Sequence, residues 1–188
     1  MTGSEVEFAR MSVLGLLAES GGSAAPSETT RMFRDFAARH VDCCERSCVP
    51  GHFTGSAWVV SADGERALLM HHRKLGIWVQ PGGHADGDGD LAAVALREAE
   101  EETGLPQLRL EGGVFDLDRH LIPPRKSDPA HFHYDVRFVV RAGANEAFVV
   151  NEESHALAWR QVREIAVDPH ADESVRRMAQ KWLEKKRG

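Results

Sequence analysis

One helix preceded by a forced turn most constrains what this chain can fold into. Apolar residues recur at helical spacing from Leu91 to Thr103, Gly104 ends the segment, and Pro81-Gly82-Gly83 comes shortly before it. Segments with the two-residue period of β-strands lie on both sides, at residues 55–60, 66–70, 77–79, 108–115, 117–122, 131–141 and 156–160. A hydrophobic content of 42% excludes a wholly disordered chain, and 17 glycines with 8 prolines exclude a coiled-coil or collagen-like rod.

Helices are also predicted at both ends of the chain. The first covers residues 5–19, a second begins after the N-cap sequence Ser27-Glu28-Thr29-Thr30, and a third closes the chain at residues 172–186. On the first helix, the residues expected to be buried are Val6, Arg10 or Met11, Leu14 and Leu17. On the second helix they are Met32, Phe33, Phe36, Ala37 and His40 or Val41. On the third helix they are Val175, Met178 or Ala179, and Trp182. We therefore divide the chain into an N-terminal helical extension, residues 1–50, and a main domain, residues 51–188.

Charge and cysteine usage limit the expected partners and compartment. A net charge of −6 argues against a protein that binds nucleic acid duplexes through a basic face. No segment approaches the roughly 18 apolar residues of a membrane span, and the apolar run Met11–Ala18 lacks the positive flank of an export signal. Cys43, Cys44 and Cys48 are an odd, clustered set, which is a poor disulfide framework. These features favour the cytoplasm, with reduced thiols buried in the second helix.

The last turns of the central helix carry carboxylates on the face that begins apolar. At about 100° per residue, Glu98 and Glu102 fall close to the direction of Leu91. Glu101 lies on the flank of that face, beside Arg97. Like charges at this spacing repel by about 0.2–0.5 kcal/mol per pair, and each also faces the negative end of the helix dipole. A bound cation such as Mg²⁺ or Mn²⁺ would remove both penalties, whereas a solvated acidic helix end is the alternative that spacing alone leaves open.

The segment from Gly83 to Leu105 resembles the Nudix box, Gly-x5-Glu-x7-Arg-Glu-U-x-Glu-Glu-x-Gly-U, in which U is bulky and apolar. Aligned without gaps, the matching residues are Gly83, Arg97, Glu98, Glu101, Glu102, Gly104 and Leu105, with Ala99 at the first U position. One position differs, because Gly89 stands where the family has its first Glu, a supporting residue often paired with the Arg. Asp88 or Asp90 would be the substitute for that Glu.

The resemblance implies an α/β fold of the Nudix type, an α/β/α sandwich around a mixed sheet. It also implies a metal-dependent hydrolase that cleaves a diphosphate linkage in a nucleoside diphosphate joined to another moiety. By this resemblance Glu101 and Glu102 hold Mg²⁺ or Mn²⁺, with Glu98 as a ligand or as the base that orients water. The carbonyl of Gly83 is a further metal ligand, and Arg97 holds the glutamates in place. The expected partner is a small-molecule diphosphate substrate, most simply a nucleotide derivative, and a homodimer is compatible with the sequence.

Acids and histidines outside the box extend the predicted site. Family members often recruit one more acid from a later loop, and Glu153, slightly favoured over Glu152, is the candidate for this catalytic role. An exposed loop acid without a role is the alternative. His84 follows Gly83 directly, and it would contact substrate or cap the loop.

The strand at 131–141 places four polar residues on one face, namely His131, His133, Asp135 and Arg137. We expect a wall of the substrate pocket, in which Arg137 meets a phosphate and the histidines donate hydrogen bonds, although an ordinary solvent face stays open. A zinc site from His131, His133 and Asp135 is disfavoured, because alternate residues of one strand give an incomplete shell. A zinc clip made from the cysteines with His40 and His52 is disfavoured because it lacks Cys-x2-Cys spacing.

Two other functions fit the same resemblance. Gly89 at the position of a family Glu would suit a non-catalytic nucleotide-binding or regulatory module on this fold. Isomerisation of isopentenyl diphosphate, a third function, needs a catalytic cysteine in the pocket. All the cysteines precede the first predicted strand, which argues against that reaction.

Overall fold

The computed structural model describes residues 2–20, 25–72, 76–125, 129–150 and 154–187. The elements in chain order are α1 (Gly3–Glu19), α2 (Glu28–Arg39), β1 (Gly51–Val60), β2 (Arg66–His72), β3 (Trp78–Val79), β4 (Gly82–His84), α3 (Leu91–Thr103), β5 (Arg109–Ile122), β6 (His131–Arg141), β7 (Ser154–Gln161), α4 (Val162–Ile165) and α5 (Glu173–Lys185). Within these residues one seven-stranded sheet has the order β3-β2-β1-β6-β5, with β4 paired to β1 and β7 paired to β2. The predicted α/β class, a mixed sheet with helices preceded by N-terminal helices, is confirmed.

The chain separates into two compact units. The first comprises Met1–Gly55, Gly83–Ala95 and Gly112–Phe138, and the second comprises Ser56–Gly82, Leu96–Glu111 and Val139–Gly188. Among the described residues, no helix is long and apolar enough to cross a membrane.

Aromatic residues of α2 form part of the core of the first unit. Phe33 is fully buried and Phe36 nearly so. The ring of Phe36 stacks on that of Tyr134 with centroids 3.9 Å apart, and the ring of Phe33 meets Tyr134 edge-on at 5.2 Å. Both phenylalanines also contact Phe53 of β1, at 5.7 and 6.0 Å. The buried face predicted for α2 is therefore confirmed at Phe33, Phe36 and Ala37, whereas Val41 is exposed because α2 ends at Arg39.

Helix α1 buries a different face from the one predicted. Its buried residues are Ala9, Val13 and Leu17, so only Leu17 of the predicted set is correct, and Met11 is 54% exposed. The reason is a close approach to the chain before α3. A Cβ atom added to Gly89 would lie 2.6 Å from the Cα of Ala9. Such an approach requires a small residue at position 9, and the face of α1 that contains Ala9, Val13 and Leu17 is consequently the buried one.

Antiparallel pairing of β2 organises the second unit. Its partners include Val60 of β1 opposite Ala67, and Trp159 of β7 opposite Leu68. Helix α5 packs through Val175, Met178, Ala179 and Trp182, which confirms the predicted face. The indole N–H of Trp182 donates to the carbonyl of Gly64 at 2.8 Å, so the polar atom of this buried ring is satisfied.

Four features of the fold differ from the sequence prediction. The turn predicted at Pro81-Gly82-Gly83 continues into a short strand, β4, and α4 was not predicted. The two strands predicted at 108–115 and 117–122 are one strand, β5, because the residue at the expected break, Asp116, is buried in an ion-pair network. The cysteines are buried and free, as predicted, but they lie in turns after α2 rather than within it.

Candidate active site

Local hydrogen bonds fix both ends of the box helix α3. At its start, the carboxylate of Asp90 accepts from the N–H of Ala93 at 3.0 Å, so Asp90 is the N-cap. At its end, Gly104 adopts a φ of 64°, and its N–H donates to the carbonyl of Glu100 at 2.9 Å. The carbonyl of Thr103 accepts from the N–H of Val149 at 2.7 Å. The glutamates in the last turns therefore project from a well-bounded helix.

Glu102 is the buried member of the glutamate set. It is 5% exposed, and its carboxylate accepts the backbone N–H of Gly82 at 2.8 Å. A Cβ added to Gly82 would lie 2.7 Å from the Cβ of Ser56, so only glycine brings its N–H to this place. Carboxylates are almost never fully buried without a partner. Its carboxylate oxygens are also the donor type that a hard divalent cation prefers, so Glu102 is a candidate metal ligand.

The other box residues have more solvent access. The side chain of Glu98 is 21% exposed and lies 3.8 Å from the guanidinium of Arg97, which agrees with the predicted pairing. Glu101 is exposed. In the described part of the chain, these three glutamates do not form a group whose ligand oxygens all lie within 4.8 Å of one another. Since Mg²⁺ usually takes one or two protein carboxylates and keeps several waters, such a partial set still suits that ion.

The polar face predicted for β6 divides into two environments. Arg137 and Asp135 are almost fully buried, and the guanidinium Nε donates to Asp135 at 2.7 Å. The same guanidinium lies 3.3 Å from Asp118 and 3.7 Å from Asp116, and the hydroxyl of Thr54 donates to Asp135 at 2.9 Å. Arg137 is thus engaged with three carboxylates inside the first unit. This network supports a structural role for Arg137 and Asp135. The predicted contact of Arg137 with a substrate phosphate stays a prediction, which the network does not support.

The histidines of β6 belong instead to a cluster of imidazole rings in the first unit. The ring of His133 lies 4.9 Å from that of His52, 5.0 Å from His84, 5.3 Å from His120 and 5.3 Å from His131. The structure therefore brings His84, His131 and His133 together, and their contact with a substrate stays a prediction. His52 was not assigned to this set from the sequence, because the prediction considered one strand at a time.

Three rings of this cluster, those of His52, His84 and His133, are neutral at physiological pH. Burial is the main cause that lowers the pKa of His52 to about 4, that of His84 to about 4 and that of His133 to about 2. Neighbouring histidines lower the pKa of His52 and His133 further. Neutral imidazoles offer a lone pair for hydrogen bonding or for metal ligation.

Gly89 marks a structural departure within the box. The backbone of Ala9 in α1 occupies the space that a side chain at position 89 would need. Of the two expected substitutes for a Glu there, Asp90 caps α3 and Asp88 accepts the N–H of Asp90 at 2.9 Å. The predicted catalytic acid Glu153 lies outside the described residues, as does Glu152.

Comparison with known proteins places this arrangement in a family. The sequence profile of the NUDIX domain matches residues 52–181, more than half of the chain. The chain belongs to the Nudix family. The predicted recognition is therefore confirmed, and α3 with its preceding turn is the Nudix box of this protein.

The chain is also similar to curated proteins from Mycobacterium tuberculosis. The chain is 34% identical over 109 residues to the protein named "Putative 8-oxo-dGTP diphosphatase 3" of Mycobacterium tuberculosis, strain CDC 1551 / Oshkosh. The match covers 55% of this chain and 48% of that protein, so the chain spans about half the length of the curated relatives it matches.

Solved structures show the same fold at low sequence identity. A NUDIX-family hydrolase from Clostridium perfringens has a TM-score of 0.54 at 20% identity, covering 72% of this chain and 97% of that chain. An Ap4A hydrolase from C. elegans has a TM-score of 0.56 at 15% identity, covering 72% and 98%. A MutT protein from Methanosarcina mazei Go1 has a TM-score of 0.56 at 18% identity, covering 74% and 97%. These likenesses support the Nudix fold.

Proposed function

We propose that this Nudix protein is a divalent-metal-dependent hydrolase that cleaves a diphosphate linkage in a nucleoside diphosphate derivative. The observation that carries the proposal is the buried carboxylate of Glu102, held by the N–H of Gly82 in the last turn of the box helix. A carboxylate at the negative end of a helix is destabilised unless a positive charge lies beside it. The family relationship supports a pyrophosphohydrolase-type activity.

The donor atoms of the box suit a hard cation. Glu101 and Glu102, with Glu98 as a further ligand, supply carboxylate oxygens, which Mg²⁺ and Mn²⁺ prefer. When bound, such an ion neutralises charge on phosphate oxygens and lowers the pKa of a bound water. The backbone of Gly82 fixes the carboxylate of Glu102 before any ion or substrate arrives, so little reorganisation is needed on binding.

In this proposal, Glu98 acts on the attacking water and Arg97 orients Glu98. Glu98 orients or deprotonates the water that attacks phosphorus, since its carboxylate keeps access to solvent. Arg97 positions Glu98 through the ion pair between the two side chains. Glu153 stays the predicted additional acid from a later loop.

The substrate class rests on chemistry shared with a relative. The mycobacterial protein is named for a nucleoside triphosphate substrate, which supports a nucleotide derivative as the substrate of this chain. We further propose that it acts on small molecules in the cytoplasm, where the free thiols of Cys43, Cys44 and Cys48 would stay reduced.

Conservative substitutions in the box test the proposed activity. Glu101→Gln and Glu102→Gln should each lower Mg²⁺-dependent turnover of a panel of nucleoside diphosphate derivatives by about 100-fold or more, because each removes a charged metal ligand. Glu100→Gln is the matched control. It makes the same change one position away on an exposed side chain, so its turnover should equal that of the native chain.

Two results would contradict the proposal. Equal turnover in the native chain and both box variants would remove the glutamates from catalysis. Tight nucleotide binding with no product release in Mg²⁺ or Mn²⁺ would favour the non-catalytic module instead. Circular dichroism of each variant separates a lost metal ligand from a lost fold.

A further inference from the structure

The histidine cluster of the first unit contains a feature that the proposed hydrolysis does not use. His52, His131 and His133 each offer one ring nitrogen, and these three atoms all lie within 4.8 Å of one another. His52 comes from β1, whereas the other two come from β6, its neighbour in the sheet. Two strands therefore complete a donor set that alternate residues of a single strand leave incomplete.

A close approach of the two strands places His52 beside the β6 histidines. A Cβ added to Gly51 would lie 3.0 Å from the carbonyl carbon of Phe132, and the N–H of Phe132 donates to the carbonyl of Pro50 at 3.1 Å. Glycine at position 51 is thus what allows the strands to lie this close. Phe132 lies between His131 and His133 in the chain, so the contact sets all three imidazoles at one place.

Three ring nitrogens of His52 and His133 are buried without the hydrogen bonds that such atoms normally make. His52 is 3% exposed, and within the described residues neither of its ring nitrogens has a hydrogen-bond partner. The same holds for Nε2 of His133. Most buried polar side-chain atoms are hydrogen-bonded, and an unsatisfied one costs about 1–3 kcal/mol. A metal ion bound by these nitrogens would remove that cost.

The third histidine is held in the tautomer that a metal needs. Nδ1 of His131 lies 2.9 Å from the carbonyl oxygen of Pro129, which can only accept a hydrogen bond. The proton is therefore on Nδ1, and Nε2 keeps its lone pair. A histidine ligand whose other ring N–H donates to a backbone carbonyl is the usual arrangement in metal sites.

We propose that His52, His131 and His133 bind one transition-metal ion of the Zn²⁺ type. Three neutral imidazoles suit zinc, and the fourth tetrahedral position is left for water or for an anionic oxygen of a ligand. Mg²⁺ prefers oxygen donors, so this site takes a different ion from the carboxylates of α3.

Metal titration of the full chain tests the site. Metal-stripped protein should bind about one equivalent of Zn²⁺ in competition with a chromophoric chelator, and millimolar Mg²⁺ should not displace it. His131→Gln and His133→Gln should each weaken this binding by about 100-fold or more, because loss of a ligand exceeds the 10–100-fold effect of losing a supporting partner. His170→Gln, which removes an exposed histidine elsewhere, should bind zinc as the native chain does.

Two more variants separate this site from the other candidates. Glu101→Gln tests the box carboxylates, and Cys48→Ser tests a second group of nearby donors, His40, Asp42 and Cys48. Both variants should keep full zinc binding. Burial raises the pKa of Cys48 to about 12, so its thiol is protonated and a poor ligand at neutral pH.

Zinc should also raise the thermal midpoint of the native chain but not that of His131→Gln. Failure of the native chain to bind one equivalent of Zn²⁺ would overturn the proposal. So would unchanged binding in both folded histidine variants, or loss of binding in Cys48→Ser or Glu101→Gln. His131 is only half-buried, so we expect His131→Gln to fold. This variant therefore still tests the site if His133→Gln does not fold. Hydrolysis of a diphosphate is a separate readout, so either proposal can fail without the other.

Discussion

Arg137 carries the positive charge of an otherwise acidic network inside the first unit. Asp116, Asp118 and Asp135 lie around its guanidinium, and Asp116, Asp135 and Arg137 are nearly inaccessible to solvent. When one partner of a buried ion pair is removed, the other charge is left without compensation, which costs more than the pair contributed. Arg137 therefore supplies a buried positive charge that these three carboxylates share.

We expect Arg137→Met to lower the free energy of unfolding by about 3–5 kcal/mol, because it removes a buried positive charge that lies against three carboxylates. Arg109→Met, at an exposed position, should change it by no more than about 0.5 kcal/mol. Urea denaturation of both variants measures the difference. Equal midpoints for the two variants would show that the aspartates are neutral or solvated.

Residue-scale prediction succeeded where neighbours lie along one helix and failed where they come from different strands. The position of Glu102 on the face of α3 that begins at Leu91 follows from helical periodicity, and this carboxylate is buried. The position of His52 beside His133 depends on which strands are adjacent in the sheet, and the period of a single strand carries no such information.

The contact between α1 and the loop before α3 is the least expected feature at the level of elements. Gly89 is buried against the backbone of Ala9, and no side chain fits between them. A Glu at position 89 would therefore displace α1 rather than restore a missing catalytic partner. Packing against α1 explains the glycine at position 89, so this residue does not by itself indicate a non-catalytic member of the family.

We expect Gly89→Ala to destabilise the chain by about 1–3 kcal/mol, as overpacked substitutions do. Gly15→Ala provides the opposite control, because its added methyl group meets nothing within 4 Å on the exposed side of α1. Alanine is a better helix former than glycine, so Gly15→Ala should stabilise by about 0.5–1 kcal/mol. Thermal melts of the two variants should shift in opposite directions, and a stabilised Gly89→Ala would contradict the packing explanation.

The first and last residues of a helix were predictable where a capping residue and a terminating glycine mark its two ends. Asp90 and Gly104 bracket α3 as a cap and a left-handed terminus, and the observed helix matches the predicted one. No local signal distinguishes one long β5 from two short strands, because the decision depends on the distant partner of Asp116. The buried face of α1 was predicted incorrectly for the same reason, since its partner lies about 80 residues away in the printed sequence.

At the scale of the whole molecule, the N-terminal helices are part of the folded core. Phe33 and Phe36 pack against Phe53 and Tyr134, which belong to β1 and β6. The division into an extension, residues 1–50, and a main domain, residues 51–188, stays a prediction, and these contacts bear on it. A removable extension would not share aromatic core residues with the sheet.

We therefore expect Phe33→Ala to cost about 3–5 kcal/mol of unfolding free energy, as for a large buried aromatic residue elsewhere. Phe8→Ala removes the same ring from α1, where it is 75% exposed, and should stay within about 0.5 kcal/mol of the native chain. Chemical denaturation followed by tryptophan fluorescence compares the two. A small effect of Phe33→Ala would support an extension that folds apart from the sheet.

The close packing of α1 on Gly89 also has an evolutionary consequence. A Nudix sequence that lacks this leading helix has free space at the corresponding position and can carry the acidic side chain there, whereas one that retains the helix must keep hydrogen at that Cα. The leading helix and the glycine at the position of Gly89 should therefore occur together, or be absent together, across homologues. Glycine at the position of Gly89 in another Nudix sequence would then predict a packed N-terminal helix.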